Sequence, residues 1–298
     1  MQSDNQEERI EELRRYSERL IESGRPGKFK KKIILQGIEN LEKDNQYVYL
    51  PNHTSHFDDV LVPALLKKGY PCPVPVAGKN LDVWPINAMV PLAKWAPLLV
   101  DRRVFENGTR KARVEHKDKL EESVKKILID GSSLLLFIEG GRRNPRDMMR
   151  ETTTGLLGCI LNTMQDEKMN SREIYGVNTA IHYDKIIEAS FLPAMRGMVN
   201  ASKKLKLPAF GTLAYYSLDL AAYLSRYLLT SLGNNPGNMY IRFGKPYPLS
   251  EFAVMKRVDV PPKRKLADRA ASGICMLYYS LVNDCKNNNL RGTSEISL

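Results

Sequence analysis

The sequence predicts an α/β fold in which a mixed central sheet is flanked by helices, with a short helix ahead of it at the N-terminus. Three observations predict it. Short apolar, β-branched or aromatic runs recur at 47–50, 97–100, 134–138 and 239–243, bounded by proline, glycine or charged residues. Segments with helical spacing separate them. In 109–130, for example, Val114, Leu120, Val124, Ile127 and Leu128 share one face. Finally, Leu134-Leu135-Leu136-Phe137-Ile138 is apolar without alternation, the pattern of a strand covered on both faces.

Composition allows a sizeable core, with 298 residues and 43% hydrophobic content. Lys and Arg total 45 against 34 Asp and Glu, a net charge of +11. That charge favours an anionic partner: a phosphate substrate, an acidic lipid surface, an acidic carrier protein or nucleic acid. The basic residues are dispersed and lack the interleaved aromatics of a nucleic-acid module, which argues against the last. Cys72, Cys159, Cys275 and Cys285 form no Cys-x-x-Cys pair, and no signal peptide opens the chain. Reduced thiols in a cytoplasmic protein are expected.

Residues 1–27 read as an N-terminal amphipathic helix and linker. Ile10, Leu13, Tyr16, Leu20 and Ile21 make a thin apolar stripe, which either docks on the body or lies on a membrane surface. Residues 28–287 read as the main domain. Its first strand is basic at 28–32, a solvated charge run or a phospholipid-facing patch. A short strand at 73–78 and a broken helix at 86–95 follow. The apolar strand at 97–105 carries Arg102 and Arg103, two guanidiniums at one sheet edge that can grip phosphate in a bidentate fork. After the covering helix at 109–130, the strand at 134–138 runs into Glu139-Gly140-Gly141-Arg142, where the glycines permit close backbone approach to a ligand. A core helix is expected at 155–164 and a strand turning into a helix at 175–188. A basic loop at 195–207 leads to 208–232, where Asp219 and Arg226 interrupt the apolar run. A buried or surface-lying helix suits it better than a membrane span. A late strand at 239–246 and a packing helix at 266–282 precede a disordered tail at 288–298.

The chain is organised around 47–59. Tyr47-Val48-Tyr49-Leu50 reads as a buried strand, Pro51 ends it, and Thr54 and Ser55 can cap the helix that follows. His53 and Asp58 therefore straddle a strand-to-helix bend, across which the carboxylate can fold back onto the imidazole. A carboxylate on one ring nitrogen fixes the tautomer and makes the other a better proton acceptor. His53, His56, Asp58 and Asp59 also crowd together like a metal-hydrolase cluster, but no downstream histidine falls in matching spacing. His182 reads as a packed or surface histidine.

Asn52-His53-Thr54-Ser55-His56-Phe57-Asp58 resembles the Asn-His-x-Ser-x-x-Asp block of the glycerolipid acyltransferases. Three further blocks resemble that family in the same order. Val100-Asp101-Arg102 resembles the end of its second block, with Ala96-Pro97 where the family has glycine. Phe137-Ile138-Glu139-Gly140-Gly141-Arg142 resembles its third, Phe-x-Glu-Gly-Gly-Arg-Ser-Arg, with Arg143 and Asn144 at the last two places. Residues 175–188 resemble its fourth, Val-Pro-x-Ser-Ile-x-Tyr-Asp-Lys-x-x-Glu, with Asn178 at the proline. Gly140-Gly141 and Thr154-Gly155-Leu156-Leu157 are similar to the glycerol-3-phosphate and dihydroxyacetone-phosphate branch, whereas Val100-Asp101-Arg102 leans toward the lysophosphatidate branch. The resemblance covers 34–248. It implies transfer of a fatty acyl group from a thioester of coenzyme A or acyl carrier protein to the sn-1 hydroxyl of glycerol-3-phosphate, the first step of phospholipid synthesis. It implies His53 as general base, Asp58 as its orienter and Asn52 and Ser55 in support. Arg102, Arg103, Glu139, Gly140, Gly141 and Arg142 would bind substrate. No cofactor or metal is implied, and the place of action would be the inner face of a membrane, held peripherally. The alternatives are a lysophosphatidate acyltransferase and a non-catalytic protein that binds anionic lipid.

Overall fold

A computed structural model describes residues 32–55, 58, 61–79, 97–141, 148–169, 172–184, 237–254, 260–287, 290 and 293–297. The expected N-terminal helix and linker at 1–27, the broken helix at 86–95 and the segments at 195–207 and 208–232 lie outside them.

Strand β1 (Lys32–Gln36) buries Ile33, Ile34 and Leu35. Gly37, at φ +71, then turns the chain, and a Cβ there would sit 2.2 Å from the Phe243 carbonyl oxygen, so glycine is required. The remaining elements are β2 (Gln46–Pro51), α1 (Leu61–Lys67), β3 (Val74–Gly78), β4 (Leu98–Val100), α2 (Arg102–Asn107), α3 (Arg110–Ile129), β5 (Leu134–Leu135), α4 (Gly155–Thr163), β6 (Ile174–Tyr183), β7 (Met239–Phe243), β8 (Tyr247–Pro248), α5 (Ser250–Ala253), α6 (Pro262–Lys286) and β9 (Ser294–Ser297).

The strands form one mixed sheet in the order β4-β3-β5-β2-β6-β7-β1-β9, with β8 beside the first half of β6. β2 to β6 run parallel to one another. β7 turns back antiparallel to β6, β1 runs with β7, and β9 closes the edge antiparallel to β1. All C-terminal ends of the parallel set therefore lie along one sheet edge, the place where open α/β sheets bind ligands.

Alternation along β2 explains the two layers of core. Val48 and Leu50 pack with Val124 and Leu128 of α3, Leu157 and Ile160 of α4, and Ala270 and Ile274 of α6. Tyr47 and Tyr49 point the other way, toward Leu61 and Leu65 of α1, Ile181 and Phe243. Helix α3 starts where Thr109 Oγ1 accepts the Ala112 amide. Its far end is closed by Gln46, whose side-chain amide reaches the Leu128 and Ser132 carbonyls at 2.9 and 2.7 Å. Arg242 of β7 joins three elements, donating to Gln36 of β1 and to Ser280 and Asp284 of α6. Among the described residues, no helix is long and apolar enough to cross a membrane.

The structure departs from the sequence expectation in four places. The strand expected at 134–138 pairs only over Leu134–Leu135. Leu136 still donates to the Tyr49 carbonyl, and then the chain turns so that the Gly140 amide meets the Phe137 carbonyl. β4 ends at Val100, and Arg102-Arg103 open a helix instead of ending a strand; Arg and Glu in that segment are good helix formers. Helix α6 is longer at both ends than 266–282. The tail at 288–298 is not wholly without structure, because Ser294–Ser297 pair with β1. Ladder hydrogen bonds come from the backbone, so the unbonded edge of β1 accepts a polar segment that no hydrophobic pattern announces.

Candidate active site

Pro51 is the last residue of β2, paired with Thr179, and after the Asn52 amide has met the Thr179 carbonyl at 3.3 Å the Asn52 side chain supplies the next rung. Asn52 Nδ2 donates to the Ile181 carbonyl at 3.0 Å, and Oδ1 accepts the Ile181 amide at 2.7 Å. Fully buried, it carries the register of β2 and β6 one step past the proline. The chain then bends, and the bend brings Asp58 Oδ2 to 2.8 Å from His53 Nδ1.

Asp58 has no exposed surface, and the turn is built around its carboxylate. Oδ2 also accepts the amides of Thr54 at 2.6 Å and Ser55 at 2.9 Å, and Oδ1 accepts the Tyr183 hydroxyl at 2.7 Å. The Thr54 and Ser55 amides thus point at Asp58. Four donors converge on this carboxylate, three on Oδ2 and one on Oδ1, which suits Asp58 to orienting an imidazole. Its partners in the metal-cluster reading, His56 and Asp59, lie outside the described residues.

An ionised carboxylate only accepts, so the shared proton sits on His53 Nδ1 and the lone pair on Nε2. The His53 side chain is 23% exposed, enough to meet a substrate. Its ring stacks on Phe137, with centroids 4.2 Å apart and planes at 28°. Its backbone is pinned as well, the amide donating to Glu139 Oε2 at 2.8 Å.

Glu139 was expected against substrate. It is 3% exposed, and its other oxygen accepts the Met149 amide at 2.8 Å, so it ties the end of β2 to the loop after β5. Met149 is held at φ +58, the left-handed region that a side chain disfavours. Gly140 takes φ +67 in the same loop, and Gly141 follows it. Arg142 lies outside the described residues, as do the side chains of Arg102 and Arg103. Their backbones stand at the start of α2, directly after β4. β5 neighbours β2, whereas β4 lies three strand spacings from β2, roughly 14 Å. The loop that carries Gly140 and Gly141 is therefore nearer His53 than is the α2 start.

Two contacts had no role in the sequence reading, Tyr183 on Asp58 and Phe137 under His53. Both residues sit in blocks that drew notice, at the ends of strands next to β2, and that position was the available signal. His182 faces the opposite side of β6, stacked on Tyr240 and 3.3 Å from the Tyr278 hydroxyl. Cys72, Cys159, Cys275 and Cys285 are free thiols. Burial raises Cys159, Cys275 and Cys285 above the ordinary thiol range, Cys285 to about 11, which keeps those three protonated near neutrality.

Parallel strands delivering a histidine–aspartate pair to their C-terminal edge define the class. Residues 32–179 match the model of the Acyltransferase family, so the chain carries an acyltransferase domain. It is 27% identical over 224 residues to the glycerol-3-phosphate acyltransferase of Haemophilus influenzae strain PittEE, across 74% of this chain and 23% of that protein. With the glycerol-3-phosphate acyltransferase of Pseudomonas fluorescens strain Pf-5 it shares 25% identity over 227 residues, across 76% of this chain and 24% of that protein. The chain thus spans about a quarter of the length of these curated relatives. A solved structure, the 1-acyl-sn-glycerophosphate acyltransferase PlsC of Thermotoga maritima, aligns with 92% of this chain and 81% of its own at 13% identity and a TM-score of 0.45.

Proposed function

We propose that this chain is an O-acyltransferase that moves a fatty acyl group from a thioester to the sn-1 hydroxyl of glycerol-3-phosphate, the opening step of phospholipid synthesis. The observation that carries this reading is the His53–Asp58 contact at 2.8 Å on the strand-end edge. His53 Nε2 takes the acceptor's hydroxyl proton as its oxygen attacks the thioester carbonyl. The tetrahedral adduct collapses, the carbon–sulfur bond breaks, and the departing thiolate recovers the proton from the imidazolium. No acyl-enzyme is needed. Backbone amides of the Gly140-Gly141 turn are candidates to stabilise the oxyanion. Arg142, Arg102 and Arg103 are the candidates to hold the phosphate, with Arg142 favoured because its loop follows the strand beside β2. Coenzyme A or acyl carrier protein carries the donor. The chain works peripherally on the inner, anionic face of a membrane, in keeping with its +11 charge.

Lysophosphatidate is the second candidate acceptor, favoured by Val100-Asp101-Arg102. The names of the curated relatives favour glycerol-3-phosphate. Labelled glycerol-3-phosphate and lysophosphatidate, each given with acyl-coenzyme A and acyl carrier donors and with or without anionic vesicles, separate the two. His53→Ala should fold normally and lose on the order of 10²–10⁴ in rate. A folded His53→Ala variant with wild-type turnover refutes the general-base role.

A further inference from the structure

We propose that Tyr183 is a positioning residue for the His53–Asp58 pair, its hydroxyl locking the Asp58 carboxylate in the rotation that presents Oδ2 to His53 Nδ1. The inference rests on the reading of His53 as the base.

The three donors to Oδ2 all come from residues 53–55, the turn that Asp58 itself closes. Contacts that share one oxygen and one short loop leave the carboxylate free to pivot about that oxygen. Oδ1 is anchored from 125 residues away, by the Tyr183 hydroxyl at 2.7 Å. The anchor is rigid because Tyr183 ends β6 within a ladder, paired with Met239 of β7. Just beyond it, the Asp184 amide donates to the Asn238 carbonyl at 3.1 Å, and the Asp184 carboxylate accepts the Asn238 amide at 2.7 Å. Tyr183 is itself 8% exposed, so its ring has little room to swing. The hydroxyl therefore carries the geometry of the β6–β7 pair to a carboxylate on a neighbouring loop. Without it, a fully buried oxygen loses its donor, and the carboxylate relaxes away from the orientation that serves the imidazole.

The test uses Tyr183→Phe and Tyr183→Leu beside wild type and His53→Ala. It measures kcat and KM for both substrates and the low-field proton resonance of His53 Nδ1–H. Tyr183→Phe keeps the ring and should stay folded at the assay temperature, its melting temperature falling by only a few degrees. It should lower kcat on the order of ten-fold while both KM values stay within about two-fold, and it should shift or broaden the resonance. An unmoved resonance with wild-type kcat in Tyr183→Phe overturns the proposal. So does a loss confined to Tyr183→Leu, which would make the ring's packing the only contribution. If His53→Ala retains turnover, the general-base reading fails, but the resonance still reports whether Tyr183 controls the pair. If His53→Ala is inactive while Tyr183→Phe matches wild type in kcat and resonance, this inference alone fails.

Discussion

Tyr49 carries a hydroxyl that meets no partner among the described residues. Its ring fills the core on the α1 side of the sheet, 5.6 Å from Tyr47 and edge-on to Phe243 at 6.4 Å, and its oxygen is buried there. Burial pushes the phenol far above its ordinary range, so it stays a neutral donor. Tyr49→Phe keeps the ring and removes the unmet polar group. It should stabilise the protein by about 1 kcal/mol, a rise of roughly 2 °C in Tm; a fall would show that the hydroxyl is used. His182 makes a pH prediction. Burial between Tyr240 and Tyr278 lowers its imidazole below the ordinary value of 6.5, with Asp184 pulling the other way and Lys286 adding to the shift. The unfolded chain then gains a proton at a higher pH than the folded one. The contribution of His182 is therefore complete above pH 6.5 and is lost as pH falls through that value toward the folded pKa. His182→Phe should remove that loss. The Tm difference between wild type and variant should move against wild type from pH 7.5 to 5.5, and an unchanged difference would rule the effect out.

Among the elements, α6 packs closely on β6 at Gly273. A Cβ there would lie 2.0 Å from Asn178 Nδ2 and 3.1 Å from its Cγ. Asn178 has little freedom to yield, being 8% exposed and accepting the Tyr247 hydroxyl at 3.1 Å through its Oδ1. Gly273→Ala should therefore cost about 1–3 kcal/mol through strain between helix and sheet. Gly155, whose added Cβ would meet nothing within 4 Å, provides the control, and an equal Tm change at both positions would refute the close-packing explanation. This contact also explains how the chain accommodates asparagine where the resembled block has proline. The side chain fills the gap left by glycine on the helix and bonds to Tyr247 of β8.

Across the whole molecule, the parallel strands bring four distant stretches to one edge. The loops after β2, β4 and β5 and the end of β6 emerge side by side although 53 and 183 are far apart in the chain. Much of this was legible in the sequence. Helix α3 announced itself by apolar periodicity, because a buried face repeats with the period of its own backbone, and strands β2 and β7 by short apolar and aromatic runs. The His53–Asp58 meeting was legible too, because Pro51 fixes where the strand must end. The structural part of Glu139 was not legible, since nothing in the local sequence shows that its two oxygens accept the amides of His53 and Met149. The early end of β5 and the pairing of β9 were invisible, because a ladder depends on which neighbour stands alongside and leaves no mark on side-chain pattern.

By itself, then, the sequence determined the α/β class, the residues of the central bend and their likeness to acyltransferases, since all three are written in local order. Only the tertiary structure decided the strand order, the part played by Glu139 and the Tyr183 hydroxyl on Asp58. Each of these joins residues that are remote along the chain, and such contacts exist only once the sheet has chosen its neighbours.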